Sequence, residues 1–270
     1  MSHIHIPDGV LPLWLVAAGW ILTALLVGLV ALRLRHGAAR RVPLLGVMAA
    51  LMLVGMSTEI VPIAYHVNLS VLTGIIAGPA YGFLASLIVN LVLALFGHGG
   101  ITVVGLNAPI IGAEAVLGHY SFRALLAAVG RVGPAARPGL AAGIATGLTL
   151  FVTTWLLIGV VWLSGLDPLQ ARDTGTLDPA ALTFANPFED GLVSSALLGA
   201  GHDARDHTQE PTISAGEPLG IGTFARAVLI LGLLGWIVEG AITGAIVGFV
   251  DRVRPDLTRG RPSGHAPSKR

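Results

Sequence analysis

Long apolar stretches separated by short polar or basic segments dominate the hydrophobic pattern of the chain. Several stretches carry almost no charge over about 20 residues, the length that an α-helix needs to cross a bilayer. The pattern predicts an all-α polytopic membrane bundle of about seven transmembrane helices. The first three predicted spans cover residues 12–32, 42–65 and 67–77, and the fourth runs from Gly78-Pro79 to Phe96. The last three cover residues 103–126, 140–163 and 224–250.

The apolar run from Leu69 to Phe96 fits either one long tilted helix or two short ones. Gly78-Pro79 in its middle favours a break, because proline disfavours helix for the residue before it. With two spans, thirteen of the 16 basic residues fall on one side of the membrane; with one span, two basic clusters would move outside, against the positive-inside tendency. The charge pattern therefore predicts two spans, an extracytoplasmic N-terminus and a cytoplasmic C-terminus. The first of them, residues 67–77, measures only about 16 Å, so His66 is expected to lie below the outer membrane surface.

Composition agrees with a membrane protein, since 54% of residues are hydrophobic and 11% are charged, against roughly 25% charged in soluble domains. The 36 glycines suit close helix packing in lipid, and Gly240, Gly244 and Gly248 form a repeated small-residue face in the last span. The chain has no cysteine, which excludes disulfides, thiolate zinc sites and iron–sulfur clusters.

The organisation predicted along the chain is one transmembrane metal-binding domain, residues 1–250, followed by a cytoplasmic basic tail, residues 251–270, that we expect to be disordered. Residues 1–11 form its N-terminal metal-binding segment. The first span is a retained anchor and not a cleaved signal, because the basic cluster follows it. An acidic extracytoplasmic insertion, residues 165–221, carries nine acids against two arginines, and we expect it to be a solvated loop without a second domain.

Histidines are the first candidates for chemistry. Four of them, His3, His5, His66 and His98, gather by this topology at the outer mouth of the bundle, and His98 lies in a glycine-rich turn that can approach a ligand closely. Imidazole nitrogens suit Ni(II), Cu(II), cobalt and zinc. The sequence therefore predicts a nitrogen-rich metal site at the mouth.

The N-terminal donors depend on whether Met1 is removed. If it is removed, the Ser2 amine and the amide and ring of His3 can form fused chelate rings that His66 completes. If Met1 stays, the segment from Met1 to His3 itself supplies four nitrogens. The sequence leaves both cases open.

Three acids, Glu59, Glu114 and Glu239, fall inside predicted spans, where a bare carboxylate is costly. Glu59 lies closest to the mouth, where it can support the metal ligands. Glu114 and Glu239 can serve either as hydrogen-bonding groups within the bundle or in function. The chain shows no HExxH, P-loop or GxSxG pattern, so ATP hydrolysis and the familiar hydrolase sites lack support in this chain.

Several segments resemble the CbiM/NikM family, the substrate-binding membrane subunits of cobalt and nickel energy-coupling factor (ECF) transporters. The resemblance lies in His5-Ile6-Pro7-Asp8-Gly9-Val10-Leu11, in His66 ahead of the Gly78-Pro79 break, and in Phe96-Gly97-His98-Gly99-Gly100-Ile101-Thr102 followed by Gly105 and Asn107. It covers the chain from its start to about the fifth span. The expected seven spans and outside N-terminus agree with this architecture.

The resemblance implies that a terminal amine, the amide and ring of a histidine at the second position, and a loop histidine hold the metal. The loop histidine corresponds to His66. For the N-terminal histidine, His5 matches the local motif, while His3 takes the second position only after Met1 is removed. We favour His3 with the Ser2 amine and keep His5 as a ligand or a support for the ligands. Asp8 is expected to fix the terminus by hydrogen bonding. Further supporting residues are predicted at Glu59, His98 and Asn107.

The predicted function is that of a transporter subunit and not an enzyme: it captures Co²⁺ or Ni²⁺ as transported substrate at the cell membrane, without a catalytic cofactor. The resemblance implies a transmembrane coupling subunit, ATP-binding subunits and a small accessory membrane protein as partners, with membrane lipid around the bundle and no nucleic acid. One alternative is an intramembrane metalloenzyme with the same histidines and Glu59 as general base. Another is a structural membrane protein whose histidines are incidental.

Overall fold

A computed structural model of the protein describes residues 11–34, 41–57, 59–60, 65–96, 100–128, 136–164 and 221–259. Within these ranges the regular elements are helices, apart from one two-stranded ribbon. The elements are α1 (Leu13–Leu34), α2 (Val42–Ser57), β1 (Glu59–Ile60), β2 (Tyr65–His66), α3 (Ser70–Ala77), α4 (Pro79–Leu95), α5 (Val104–Ala128), α6 (Arg137–Ser164), α7 (Ile221–Val253) and α8 (Pro255–Arg259).

The helices form an apolar bundle, which confirms the predicted fold class. Among the described residues, three segments are long and apolar enough to cross a membrane: Leu13–Leu34, Arg137–Ser164 and Val228–Val253. Two shorter apolar helices, Val42–Ser57 and Pro79–Leu95, lie beside them. The number of helices that cross the bilayer and the side on which the N-terminus lies stay predictions.

The break predicted at Gly78-Pro79 is confirmed. Gly78 separates α3 from α4 and has φ +95°, a left-handed conformation that strongly favours glycine. Pro79 starts α4, where its missing N–H leaves no helical hydrogen bond unmade. On the C-terminal side of α5, the ring of His119 contacts the carbonyl of Gly74 through Nδ1 at 2.9 Å, next to this break.

The prediction that the second span runs to Tyr65 is wrong. Helix α2 ends at Ser57, and Glu59 belongs to a strand and not to a helix. The local sequence explains the change, because Pro62 disfavours helix for the residue before it and Ile60 is β-branched. The chain therefore leaves the helix eight residues earlier than expected and forms a ribbon.

Helix α3 is shorter than the predicted third span. It begins at Ser70 and not near residue 67, and its 8 residues extend about 12 Å, far less than the roughly 30 Å of a bilayer core. Just ahead of the helix, the side-chain oxygen of Asn68 accepts a hydrogen bond from the Ser70 amide at 2.9 Å. This short helix is buried along almost its whole length.

Close backbone packing fixes α3 against α5. A β-carbon on Gly74 would overlap the backbone of Ala115, and one on Gly118 would lie 2.6 Å from the Val71 side chain. On the other side of α5, a β-carbon on Gly105 would lie 2.8 Å from the Cα atom of Trp20 in α1. Helix α5 therefore acts as the central support, with glycines where its neighbours touch it.

The glycine face predicted for the last span makes a helix contact, as expected. In α7, a β-carbon on Gly244 would lie 2.8 Å from the Gly139 carbonyl of α6, and one on Gly240 would lie 2.9 Å from the Gly143 carbonyl. Helices in lipid approach this closely only where side chains are absent. The contact joins α6 and α7 into one antiparallel pair.

The end of the chain departs from the predicted boundary at residue 250 and from the expected disorder of the whole tail. Helix α7 continues to Val253, and Pro255–Arg259 forms α8. The buried hydroxyl of Thr258 donates to the Asp251 carboxylate at 2.5 Å, which ties α8 back onto the end of α7. Residues 260–270 of the predicted tail lie outside the described residues.

Candidate metal site

Two ends of the bundle can be distinguished. We call the end where α1, α5 and α7 begin the N-terminal end, because residue 11 enters the bundle there. Leu11 is buried in a small apolar cluster with Leu15, Val16, Val103, Leu106 and Leu157. The indole of Trp20 donates to the Thr102 carbonyl, and the Thr23 hydroxyl donates to the Gly105 carbonyl, both at 2.7 Å. The start of α1 is therefore fixed against the start of α5.

His66 lies at this same end, on the ribbon between α2 and α3. Its backbone pairs with that of Glu59 in antiparallel register, and Tyr65 pairs with Ile60. The side chain of His66 is half-buried. Behind it, the Val67 carbonyl packs so closely on α2 that a β-carbon on Gly55 would lie 2.7 Å from it.

Helix α3, which follows His66 in the chain, begins far from the N-terminal end of the bundle. Ser70, the first residue of α3, contacts Glu114, which is ten residues into α5, or about 15 Å along the axis at 1.5 Å per residue. Helix α3 therefore begins well inside the bundle, and the segment with His66 occupies the space above it. The position of His66 below the outer membrane surface stays a prediction.

Asn107 is buried in the first turn of α5, at the N-terminal end where His66 also lies. Asn107 and Glu114 are seven residues apart, which places them on one face of α5 about 10 Å apart along the axis. The backbone of Glu59 is brought directly opposite His66.

The remaining predicted site residues, Ser2, His3, His5, Asp8 and His98, lie outside the described residues. Within the described ranges, no three histidine, aspartate or glutamate side chains come together as a ready metal cluster. The described part of the chain thus supplies one predicted imidazole donor, His66, together with the polar group Asn107.

A cluster around Glu114 was missed as a unit in the sequence. The carboxylate is buried and accepts hydrogen bonds from Asn68, Ser70 and Thr153. One signal for it was present, since Thr146, Thr149 and Thr153 recur on one face of an otherwise apolar span. The partners Asn68 and Ser70, however, come from a different element, and their approach depends on where α3 begins.

Comparisons with known proteins agree with this architecture. A truncated transition metal transporter has a similar structure, with a TM-score of 0.62, 18% sequence identity and coverage of 93% of this chain and 99% of that one. A second transition metal transporter gives a TM-score of 0.61 at 18% identity, with 93% of each chain covered. At this identity the likeness shows the fold.

A sequence relative from Haemophilus influenzae, named "Putative metal transport protein", is 32% identical over 128 residues. The match covers 46% of this chain, and this chain spans 59% of the length of that relative.

The fold and the family comparison define the class: a multi-pass helical membrane protein. Residues 5–257 match the family model CbiM, described as the cobalt uptake substrate-specific transmembrane region. The chain belongs to this family, and the family resemblance expected from the sequence is confirmed.

Proposed function

We propose that this chain is the substrate-capture subunit of an ATP-driven importer of the ECF type, which binds Co²⁺ or Ni²⁺ at the outer face and delivers it across the cytoplasmic membrane. One observation carries the proposal: His66 is held at the bundle end where the N-terminal segment enters at Leu11. Membership in a cobalt uptake family favours transport over the metalloenzyme alternative.

The predicted ligand set is Ser2, His3, His5 and His66. His5 lies six residues before Leu11, and an extended segment of that length reaches up to about 20 Å. This reach supports a meeting of the N-terminal donors with His66, because both belong to the same end of the bundle. Amine and imidazole nitrogens are suitable donors for nickel and cobalt. Asp8, Glu59, His98 and Asn107 are proposed to support these ligands.

The charge distribution supports an extracytoplasmic N-terminal end. Six described arginines belong to the opposite end, where α1, α5 and α7 finish and α2 and α6 start: Arg33, Arg41, Arg123, Arg137, Arg252 and Arg254. Arg137 donates through Nε to the Leu126 carbonyl at 2.9 Å, so it also satisfies the end of α5. Positively charged ends of membrane bundles preferentially face the cytoplasm.

Energy coupling is assigned to partners: a transmembrane coupling subunit, ATP-binding subunits and a small accessory membrane protein. Two considerations support this part of the proposal, the family resemblance and the lack of a P-loop pattern in the sequence. The chain itself would then recognise the metal and present it to the coupling subunit.

Metal binding by the purified chain is the experiment that tests the proposal. Metal-free protein in detergent is expected to retain one Ni²⁺ or Co²⁺ per chain in equilibrium dialysis and native mass spectrometry, with excess Mg²⁺ or Ca²⁺ failing to compete, because these ions prefer oxygen ligands. The intact mass also shows whether Met1 is present. Absence of stable Ni²⁺ and Co²⁺ binding would overturn the proposal.

A one-residue extension of the mature N-terminus separates the proposed site from other nickel-binding groups. The extension moves the terminal amine away from the chelate ring and is expected to weaken binding strongly while leaving the bundle intact. Binding equal to that of the unextended protein would remove the terminal amine from the ligand set and leave His66 to be tested separately.

A further inference from the structure

Glu114 sits at the centre of a buried polar cluster in α5, with 3% of its side chain exposed. Its Oε2 atom accepts hydrogen bonds from Asn68 Nδ2 at 2.5 Å and from Ser70 Oγ at 2.6 Å. Its Oε1 atom accepts one from Thr153 Oγ1 at 3.1 Å. The carboxylate therefore joins α5 to α6, to the start of α3 and to the segment ahead of α3.

Asn68 connects this cluster to the metal site. Its side chain donates to Glu114 and, through Oδ1, accepts from the Ser70 amide, so it is held at both ends of its amide group. Only Val67 separates Asn68 from His66. On its other side, His66 is held by the ribbon pairing with Glu59. A shift of Asn68 would thus move the backbone that carries the imidazole.

We infer that Glu114 is a positioning residue of the metal site, which holds His66 in place through Asn68 without contacting the metal. The inference rests on the proposed function of His66 as a metal ligand. Glu114 is buried about two helical turns beyond Asn107 along α5, away from the bundle end where the proposed ligands lie.

The hydrogen-bond geometry explains why an acidic residue suits this position. An ionised carboxylate only accepts hydrogen bonds, so it can hold three side-chain donors at once, two from the start of α3 and the segment ahead of it and one from α6. Both of its oxygens are already occupied by these donors, which distinguishes Glu114 from an open metal ligand. Loss of the acceptor would leave the buried Asn68 amide and Ser70 hydroxyl without this partner, which is unfavourable.

A glutamine at position 114 keeps the shape and hydrogen-bonding oxygen of the side chain but removes its negative charge. In Glu114→Gln, the amide oxygen can stay at the Oε2 position and accept from Asn68 and Ser70, while the NH₂ group donates to the Thr153 hydroxyl. A positioning role predicts near wild-type metal binding for this variant. A role that needs the negative charge predicts a loss similar to that in Glu114→Ala.

The test measures the Ni²⁺ dissociation constant and the ligand-field spectrum of the purified full chain, with Ni²⁺ added alone. Glu114→Ala and Asn68→Ala are expected to weaken Ni²⁺ binding about 10- to 100-fold, the usual range for residues that orient metal ligands, and to change the spectrum. Ser70→Ala removes only one of the three donors and provides a milder variant if the others do not fold.

Matched controls come from α4. Asn90 is buried and its side chain donates to the Ser86 carbonyl, while the Ser86 hydroxyl donates to the Gly82 carbonyl, so both bonds stay within one helix. Asn90→Ala and Ser86→Ala remove the same chemical groups as Asn68→Ala and Ser70→Ala. They are expected to leave the Ni²⁺ dissociation constant and the spectrum unchanged, whatever they do to thermal stability.

A double-mutant cycle with His66→Ala decides whether Glu114 acts through that histidine. In the His66→Ala background, Glu114→Ala should cause no further loss of Ni²⁺ affinity. Wild-type affinity in Asn68→Ala and Glu114→Ala, a further loss in the double variant, or equal losses in Glu114→Gln and Glu114→Ala would each overturn the inference. Absence of Ni²⁺ binding by the wild type would instead overturn the proposed function, and the inference with it.

Discussion

A His66→Ala variant is expected to reach the membrane at wild-type levels and to lose more than about 100-fold in Ni²⁺ and Co²⁺ affinity. Removal of a residue that merely orients a ligand costs about 10- to 100-fold, so loss of a proposed ligand should cost more. The variant should fold, because the ribbon is held by backbone pairing between Glu59 and His66, which alanine retains. Isothermal titration of the purified protein measures the affinities, and the amount of protein in membrane fractions measures insertion.

His36→Ala is the matched control for this prediction, since His36 lies in the sequence between α1 and α2 and outside the predicted ligand set. It should bind both metals with wild-type affinity. If His66→Ala also binds them normally, His66 is not a ligand and the proposed site is wrong. Equal losses in both variants would point to a general effect of histidine removal.

Gly74→Ala is expected to destabilise the bundle by about 3 kcal/mol or more, at the upper end of what overpacking costs. The added β-carbon would overlap the backbone of Ala115, and backbone atoms cannot rotate away as a side chain can. Helix α3 would have to move off α5, which would also displace Ser70 from Glu114. Thermal unfolding in detergent and the yield of monodisperse protein measure the effect.

Gly147→Ala in α6 is the control for the glycine prediction. A β-carbon there meets nothing within 4 Å, and alanine favours a helix over glycine by roughly 0.5–1 kcal/mol. This variant should be neutral or slightly more stable. A melting temperature of Gly74→Ala equal to that of the wild type would show that α3 and α5 do not pack as described.

The two predictions depend on the same packing of α3 against α5. Gly74 lets α3 pack tightly beside α5, and Ser70 at the start of α3 then reaches Glu114. The helix is too short to span a bilayer, so the segment with His66 continues into the bundle above it. Metal affinity and helix packing are therefore expected to be coupled at this site.

Much of the architecture could be predicted from the chain alone. Apolar length and low charge indicated the membrane bundle, and the family resemblance rested on short motifs around His5, His66 and His98. The break at Gly78-Pro79 followed from backbone chemistry, since proline disfavours helix for the residue before it. Gly78 there has φ +95°, which glycine adopts without steric cost. The contact made by Gly240 and Gly244 followed from their four-residue spacing.

The hydropathy pattern gave a wrong prediction where an apolar sequence was compatible with both helix and strand. Residues 58–65 are apolar enough to continue α2, yet the helix ends at Ser57 and Glu59 pairs with His66. Pro62 was the local signal against a continued helix, and hydropathy alone did not register it. The end of the last helix was missed for a similar reason, because Thr258 and Asp251 stabilise it through a contact across a turn.

The sequence by itself determined the class of protein, the family, the candidate donors and the position of the helix break, because these depend on composition, charge and local backbone preference. Only the tertiary structure decided that Asn68, Ser70 and Thr153 converge on Glu114, and that Glu59 lies outside α2 and pairs with His66 in a ribbon. Such convergence depends on how helices from distant parts of the chain pack, and glycine contacts such as that of Gly74 with Ala115 set that packing.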